Sequence, residues 1–137
     1  MTFSEDSIMN LDETQILAEE LMGQHGLLER KWRFGWDRST CQAGSCRFLA
    51  TQKEPWRRIG LSRSITELND RTFVRDTILH EIAHALAGVG HNHDATWREI
   101  ALRIGCTGKR CHSGLRPRRA LTERQWIARY MRSLRGK

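Results

Sequence analysis

Proline occurs only twice in these 137 residues, and no apolar run approaches the roughly 20 residues that a membrane span needs. The first scarcity excludes a proline-rich linker, the second a helical membrane anchor. No internal repeat and no low-complexity stretch is present, which excludes a stacked repeat architecture. The first ten residues carry Glu5 and Asp6 and hold neither a basic region nor an apolar core. That argues against a secretory signal, and a cytoplasmic location is the expectation. Acids are nearly missing from the end of the chain: Lys109 to Lys137 contains ten Lys and Arg but one acid, Glu123. The preceding residues balance thirteen basic against fifteen acidic side chains, so the net charge of +7 belongs to the tail. At 39% hydrophobic and 28% charged, the chain can build one modest core, and a single small domain is expected.

Periodicity gives a coarse map. Asp12 to His25 reads as an amphipathic helix with Ile16, Leu17, Leu21 and Met22 toward the core and Gly26 as a stop. Strands follow near Arg30–Trp36, where Trp32, Phe34 and Trp36 alternate with Arg33 and Gly35, then near Cys46–Thr51 and Arg58–Ser62. Three strands joined by short turns favour an antiparallel meander. Thr72–Ala87 reads as a helix with a stripe of Val74, Ile78, Ile82 and Ala85, closed by Gly88 and Gly90. Asp94 is a fit N-cap for a helix to Ile104 bearing Trp97, Ile100 and Ala101, and Thr122 caps a last basic helix, Glu123–Leu134.

The chemistry concentrates in His80-Glu81-Ile82-Ala83-His84. Histidines four apart share one helix face and can point at one ion, while the adjacent glutamate reaches a water beside it. His80 and His84 stand away from the apolar stripe, toward an expected cleft. A catalytic zinc takes three protein ligands and keeps one position open. Candidates for the third are His91, His93 and Glu99. A metzincin would place a glycine three residues after His84 and a histidine six after, where this chain has Ala87 and Gly90.

His93-Asp94-Ala95-Thr96-Trp97, together with the two-histidine helix, Ile59-Gly60-Leu61-Ser62 and Thr77-Ile78-Leu79, resembles the SprT-like family, to which the DNA–protein crosslink protease Spartan belongs. The resemblance spans roughly Leu11 to Gly105. It implies an α+β, zincin-like fold: an N-terminal helix, a three-stranded antiparallel sheet, the metal helix, a following ligand-bearing helix and a basic C-terminal helix. It further implies Zn²⁺ on His80, His84 and His93, Trp97 packed under the ligand helix, and Glu81 as the base of peptide hydrolysis. Residues 1–108 would form the metalloprotease domain and 109–137 a basic extension. The chain departs from many bacterial relatives in having no C-terminal ribbon of close cysteine pairs, and it has no long partner-binding tail like that of Spartan.

Two further sets of residues stand apart. Cys41/Cys46 and Cys106/Cys111 have matching spacing and are either a second, structural zinc site or unliganded small hydrophobes. Arg116, Arg118, Arg119, Arg124, Arg129, Arg132 and Arg135 can track a phosphate backbone, with DNA as the expected partner. The function expected is a zinc endopeptidase acting on DNA-associated protein. A DNA-binding module with a structural zinc and a protease dedicated to one repressor are the alternatives.

Overall fold

A computed structural model describes residues 8–53, 55–110, 114, 115, 127, 128, 131, 132 and 134. The first helix, α1 (Leu11–Gln24), begins where the Asn10 side chain accepts from the Glu13 N–H and donates to the Glu13 carboxylate, a reciprocal cap. It buries Thr14, Ala18, Leu21 and Met22. Ile16, expected in the core, is 66% exposed. It stands two residues from both Thr14 and Ala18, roughly 200° around the helix from each, and so falls on the opposite side.

Three strands follow: β1 (Trp32–Asp37), β2 (Gly44–Arg47) and β3 (Arg57–Ser62). Their order is β1-β3-β2, with β1 parallel and β2 antiparallel to β3. The expected antiparallel meander is thus corrected to a mixed sheet. β3 is the strand buried along most of its length, from Ile59 to Ser62, and takes the centre. The 38–43 connection has only to span two strand spacings, about 10 Å, for β3 to fit between its flanking strands. Polar side chains fasten this order. Gly35 and Gly60 are register partners, Arg58 lies over Gly35 and Asp37 over Gly60, so a Cβ at either glycine would collide. Arg58 pairs with Asp37 at 3.0 Å, and Ser45 donates to the same carboxylate at 2.6 Å, which links all three strands.

A short helix not expected from the sequence, α2 (Arg63–Leu68), starts where Ser62 Oγ accepts from the Ile65 N–H. Then comes α3 (Arg71–Ala87), capped by Asp70 on Phe73 N–H, and α4 (Ala95–Arg103), capped by Asp94 on Trp97 N–H. Val74, Ile78 and Ile82 face the core as expected, but Thr77, Leu79, His80, Glu81 and Ala83 are buried too. The reason is that α3 is the central element, with the sheet, α1 and α4 all packed on it. Its histidine face therefore lines a cleft between these elements. The expected helix over 123–134 lies mostly outside the described residues; Ile127, Ala128, Met131, Arg132 and Leu134 are helical and exposed. No helix among the described residues is long and apolar enough to cross a membrane.

Candidate metal centre

Helical spacing brings His80 and His84 together, and the turn after α3 supplies the third imidazole. Gly88 and Gly90, both at positive φ, reverse the chain, and His93 itself adopts a left-handed φ of 57° immediately before the Asp94 cap. A non-glycine residue in that region carries a local cost, which is typical of side chains that must be aimed. His93 Nε2 lies 2.9 Å from His80 Nε2 and 3.1 Å from His84 Nε2. One ligand atom from each of the three rings lies within 4.8 Å of the others.

Hydrogen bonding alone cannot satisfy this triangle. A ring nitrogen either donates one proton or offers one lone pair, so His93 Nε2 can make at most one of its two contacts a hydrogen bond. A cation accepting a lone pair from each ring would satisfy all three. Tetrahedral zinc with Zn–N of about 2.0–2.1 Å sets its nitrogens about 3.3 Å apart, close to the spacing found, so the residues fit the ion.

Neighbouring groups hold the rings. A bond from His84 Nδ1 to the His91 carbonyl, at 3.3 Å, leaves the Nε2 lone pair facing its partners. Trp97 donates Nε1–H to the His80 carbonyl at 3.3 Å, stacks on His84 at 5.2 Å, and meets His80 and His93 edge-on at 4.7 Å each. Burial, then the His93 charge, lowers the pKa of His84; burial, then Arg110, lowers that of His93. Both shifts favour the neutral ring, the form that ligates metal.

Glu81 is 6% exposed and rests against β2 at Gly44, where a Cβ would come within 2.9 Å of its Cγ and Oε2. Sequence reasoning passed over this glycine, although a glycine inside a strand often marks such a close approach. Burial, reinforced by the Asp37 charge, pushes the Glu81 carboxyl up to about 8. The three imidazoles and Glu81 line one cavity of about 720 Å³, together with Gly44, Ser45 and Cys46 of β2, Phe48 just beyond it, and Arg110.

The remaining candidates are placed elsewhere. His91 bonds Asp94 at 2.8 Å through Nδ1 and contributes only its backbone to the His84 environment. Glu99 pairs with Arg103 in solvent. Cys106 is buried with Sγ donating to the Asp76 carbonyl, Cys46 faces the cavity and Cys41 is exposed. Among the described residues these thiols do not gather into a ligand cluster; Cys111 lies outside the described residues. So do Arg116, Arg118, Arg119, Arg124, Arg129 and Arg135, while Arg132 is exposed. Burial raises Cys46 to about 12 and Cys106 to about 11. At pH 8, Cys46 then carries about a thousandfold less thiolate than a thiol with the ordinary value of 9.0. In a timed alkylation read by peptide mass spectrometry, Cys41 should label well before Cys46 and Cys106. Equal rates would contradict the burial of the latter two.

The sequence model for the SprT-like family matches residues 14–117. No curated protein matches the chain.

Proposed function

The chain belongs to the SprT-like family, and from that premise we propose that it is a zinc-dependent endopeptidase acting on DNA-associated proteins. In this reading His80, His84 and His93 hold the ion and Glu81 is the general base. The observation that supports it best is the convergence of three ring nitrogens beside a buried carboxyl in one open cavity. A purely structural zinc site has no use for a carboxyl in that position.

When bound, zinc would supply Lewis acidity toward water and toward a peptide carbonyl. The chain's own residues do the rest. A neutral carboxyl is the stable form of Glu81 while the neighbouring imidazoles are uncharged and unliganded, and a divalent cation among them favours the carboxylate. As carboxylate, Glu81 takes the proton of the attacking water at its Oε atoms and returns it to the leaving nitrogen. The outer edge of β2, free of strand partners among the described residues, offers main-chain groups to an extended substrate. Such pairing ignores side-chain identity, which suits unfolded or flexible protein.

In the same reading, residues 1–108 are the catalytic domain and 109–137 a basic extension working in the cytoplasm near DNA. Two contacts support an extension that starts on the domain. Arg110 lines the cavity, and the Asn69 carboxamide makes two 2.8 Å bonds to the Leu115 backbone. Arg116, Arg118, Arg119, Arg124, Arg129, Arg132 and Arg135 then bring phosphate-binding charge to the substrate.

The test is metal content by mass spectrometry beside cleavage of an unfolded protein. Purified wild type should carry about one zinc per chain, lose cleavage to a chelator and regain it with added zinc. His93→Ala should lose the zinc, while His91→Ala keeps it. Zinc retained in His93→Ala, or cleavage indifferent to chelation, would refute the reading.

A further inference from the structure

We propose that the sheet carries a second binding site, on the face turned away from α3, that takes a single strand of nucleic acid by stacking a base on Trp56 and pairing its phosphates with Arg33 and its neighbours. This goes beyond the peptidase reading and does not rest on it. Strand alternation sets the face: Ile59 and Leu61 point into the core, so Arg58 and its register partner Arg33 point the other way. A cavity of about 350 Å³ opens there, lined by Arg33, Phe34, Gly35, Trp36, Trp56 and Arg58. That volume lies at the small end of ligand sites.

Three features point to the ligand. Because β1 and β3 run parallel, the basic residues at both strand starts come to one end of the sheet: Arg30, Lys31 and Arg33 beside Arg57 and Arg58, with the Arg57 N–H bonded to the Lys31 carbonyl. Among the described residues only Arg58 of these five pairs with a carboxylate. The result is positive charge on Arg30, Lys31, Arg33 and Arg57 that no carboxylate among the described residues pairs with, which suits a polyanion. Second, Trp56 remains 40% exposed with the Arg33 guanidinium 4.2 Å from its ring centroid. Planar groups of this kind accept an unstacked base of any identity. Third, Arg58 Nε is buried with no hydrogen-bond partner, a donor without an acceptor on a side chain that lines the cavity. An acidic peptide would answer the charge but would leave the indole unused.

The chain's basic tail is a separate source of charge, and the experiment divides the two. Fluorescence anisotropy of labelled oligothymidylate and oligouridylate is measured with the full chain carrying Glu81→Gln, so the outcome is independent of hydrolysis. Trp56→Ala should weaken binding about tenfold or more, the usual worth of one stacked base. Arg33→Gln should weaken it and flatten the dependence on salt, and Arg33→Lys should restore the salt slope without the affinity. Binding should also quench a tryptophan signal that Trp56→Phe removes, a readout that survives if Trp56→Ala fails to fold. The stronger of the two oligonucleotides identifies DNA or RNA as the source of the strand. Affinity unchanged by the Trp56 and Arg33 substitutions overturns the proposal, as does loss confined to Arg129→Gln/Arg132→Gln. Equal competition by polyglutamate overturns it in favour of an acidic peptide.

Discussion

Glu81→Gln should reduce peptide hydrolysis by about 10²–10⁴, the range measured when a general base is removed, while zinc content stays at the wild-type level. The exchange keeps the size and planarity of a side chain that is 6% exposed and lies against Gly44, so packing gives no reason for the loss. In barrier height the range corresponds to about 3–5 kcal/mol. The same substitution has a second, opposite effect on the metal-free protein. Burial and Asp37 raise the folded-state pKa of Glu81 from 4.5 to about 8. Between those values the folded chain keeps a proton that the unfolded chain has released, so stability conferred at low pH is lost as pH rises through that window. Metal-free wild type should accordingly lose stability relative to Glu81→Gln from about pH 5 to pH 8, as read by urea unfolding. Comparing the two proteins cancels the shared histidines. Full hydrolysis in the variant would remove Glu81 from the chemistry, and a difference that does not change with pH would remove it from the buried cavity.

What the sequence made legible was local. His80, Glu81 and His84 could be read because a helix fixes the directions of residues one and four apart, whatever it packs against. Asp94 could be read for the same reason, since a cap acts over three residues, whereas the Asn10 cap came only from the structure. His93 could be favoured over His91 only through the family resemblance. The structural reason is the left-handed backbone at position 93, a conformation that a histidine does not announce as a glycine would. The sheet was misread where the argument became non-local. Consecutive strands with short connections usually pair, but β3 carries Ile59 and Leu61 and is drawn to the centre, which separates β1 from β2. Gly44 under Glu81 and Arg33 on Trp56 belong to the same class: each depends on which strands become neighbours or which helix lies across them. Ile16 failed for a simpler reason. Its helix buries Thr14 and Ala18 beside the expected Leu21 and Met22, and hydrophobicity alone did not show that Ile16 stands on the other side.

Trp97→Ala should be the most destabilising single change near the site, at about 3–5 kcal/mol, the range for truncating a large aromatic in a core. Trp97 is 1% exposed, and its indole touches His80, His84 and His93 together. Domains of this size have about 5–15 kcal/mol in total, so the variant would sit near the folding threshold without metal. Zinc bound only by the folded state would recover part of the loss by mass action. The recovery should be smaller than in wild type. With the indole gone, the His84 ring loses its stacking partner and the His80 carbonyl its 3.3 Å donor, and loss of such supporting contacts costs about ten- to a hundredfold in metal affinity. Trp97→Phe separates the two contributions. It refills most of the volume and keeps a ring on the imidazoles, so stability should return largely, short by about 1 kcal/mol for the missing hydrogen bond. Urea unfolding with and without zinc, on all three proteins, measures both quantities. If Trp97→Ala unfolded at the wild-type midpoint, the three imidazoles would have to be held by the α3 backbone and the 88–94 turn alone. The left-handed φ at His93 argues against that, because a turn bearing its own local cost needs packing from outside to stay in place.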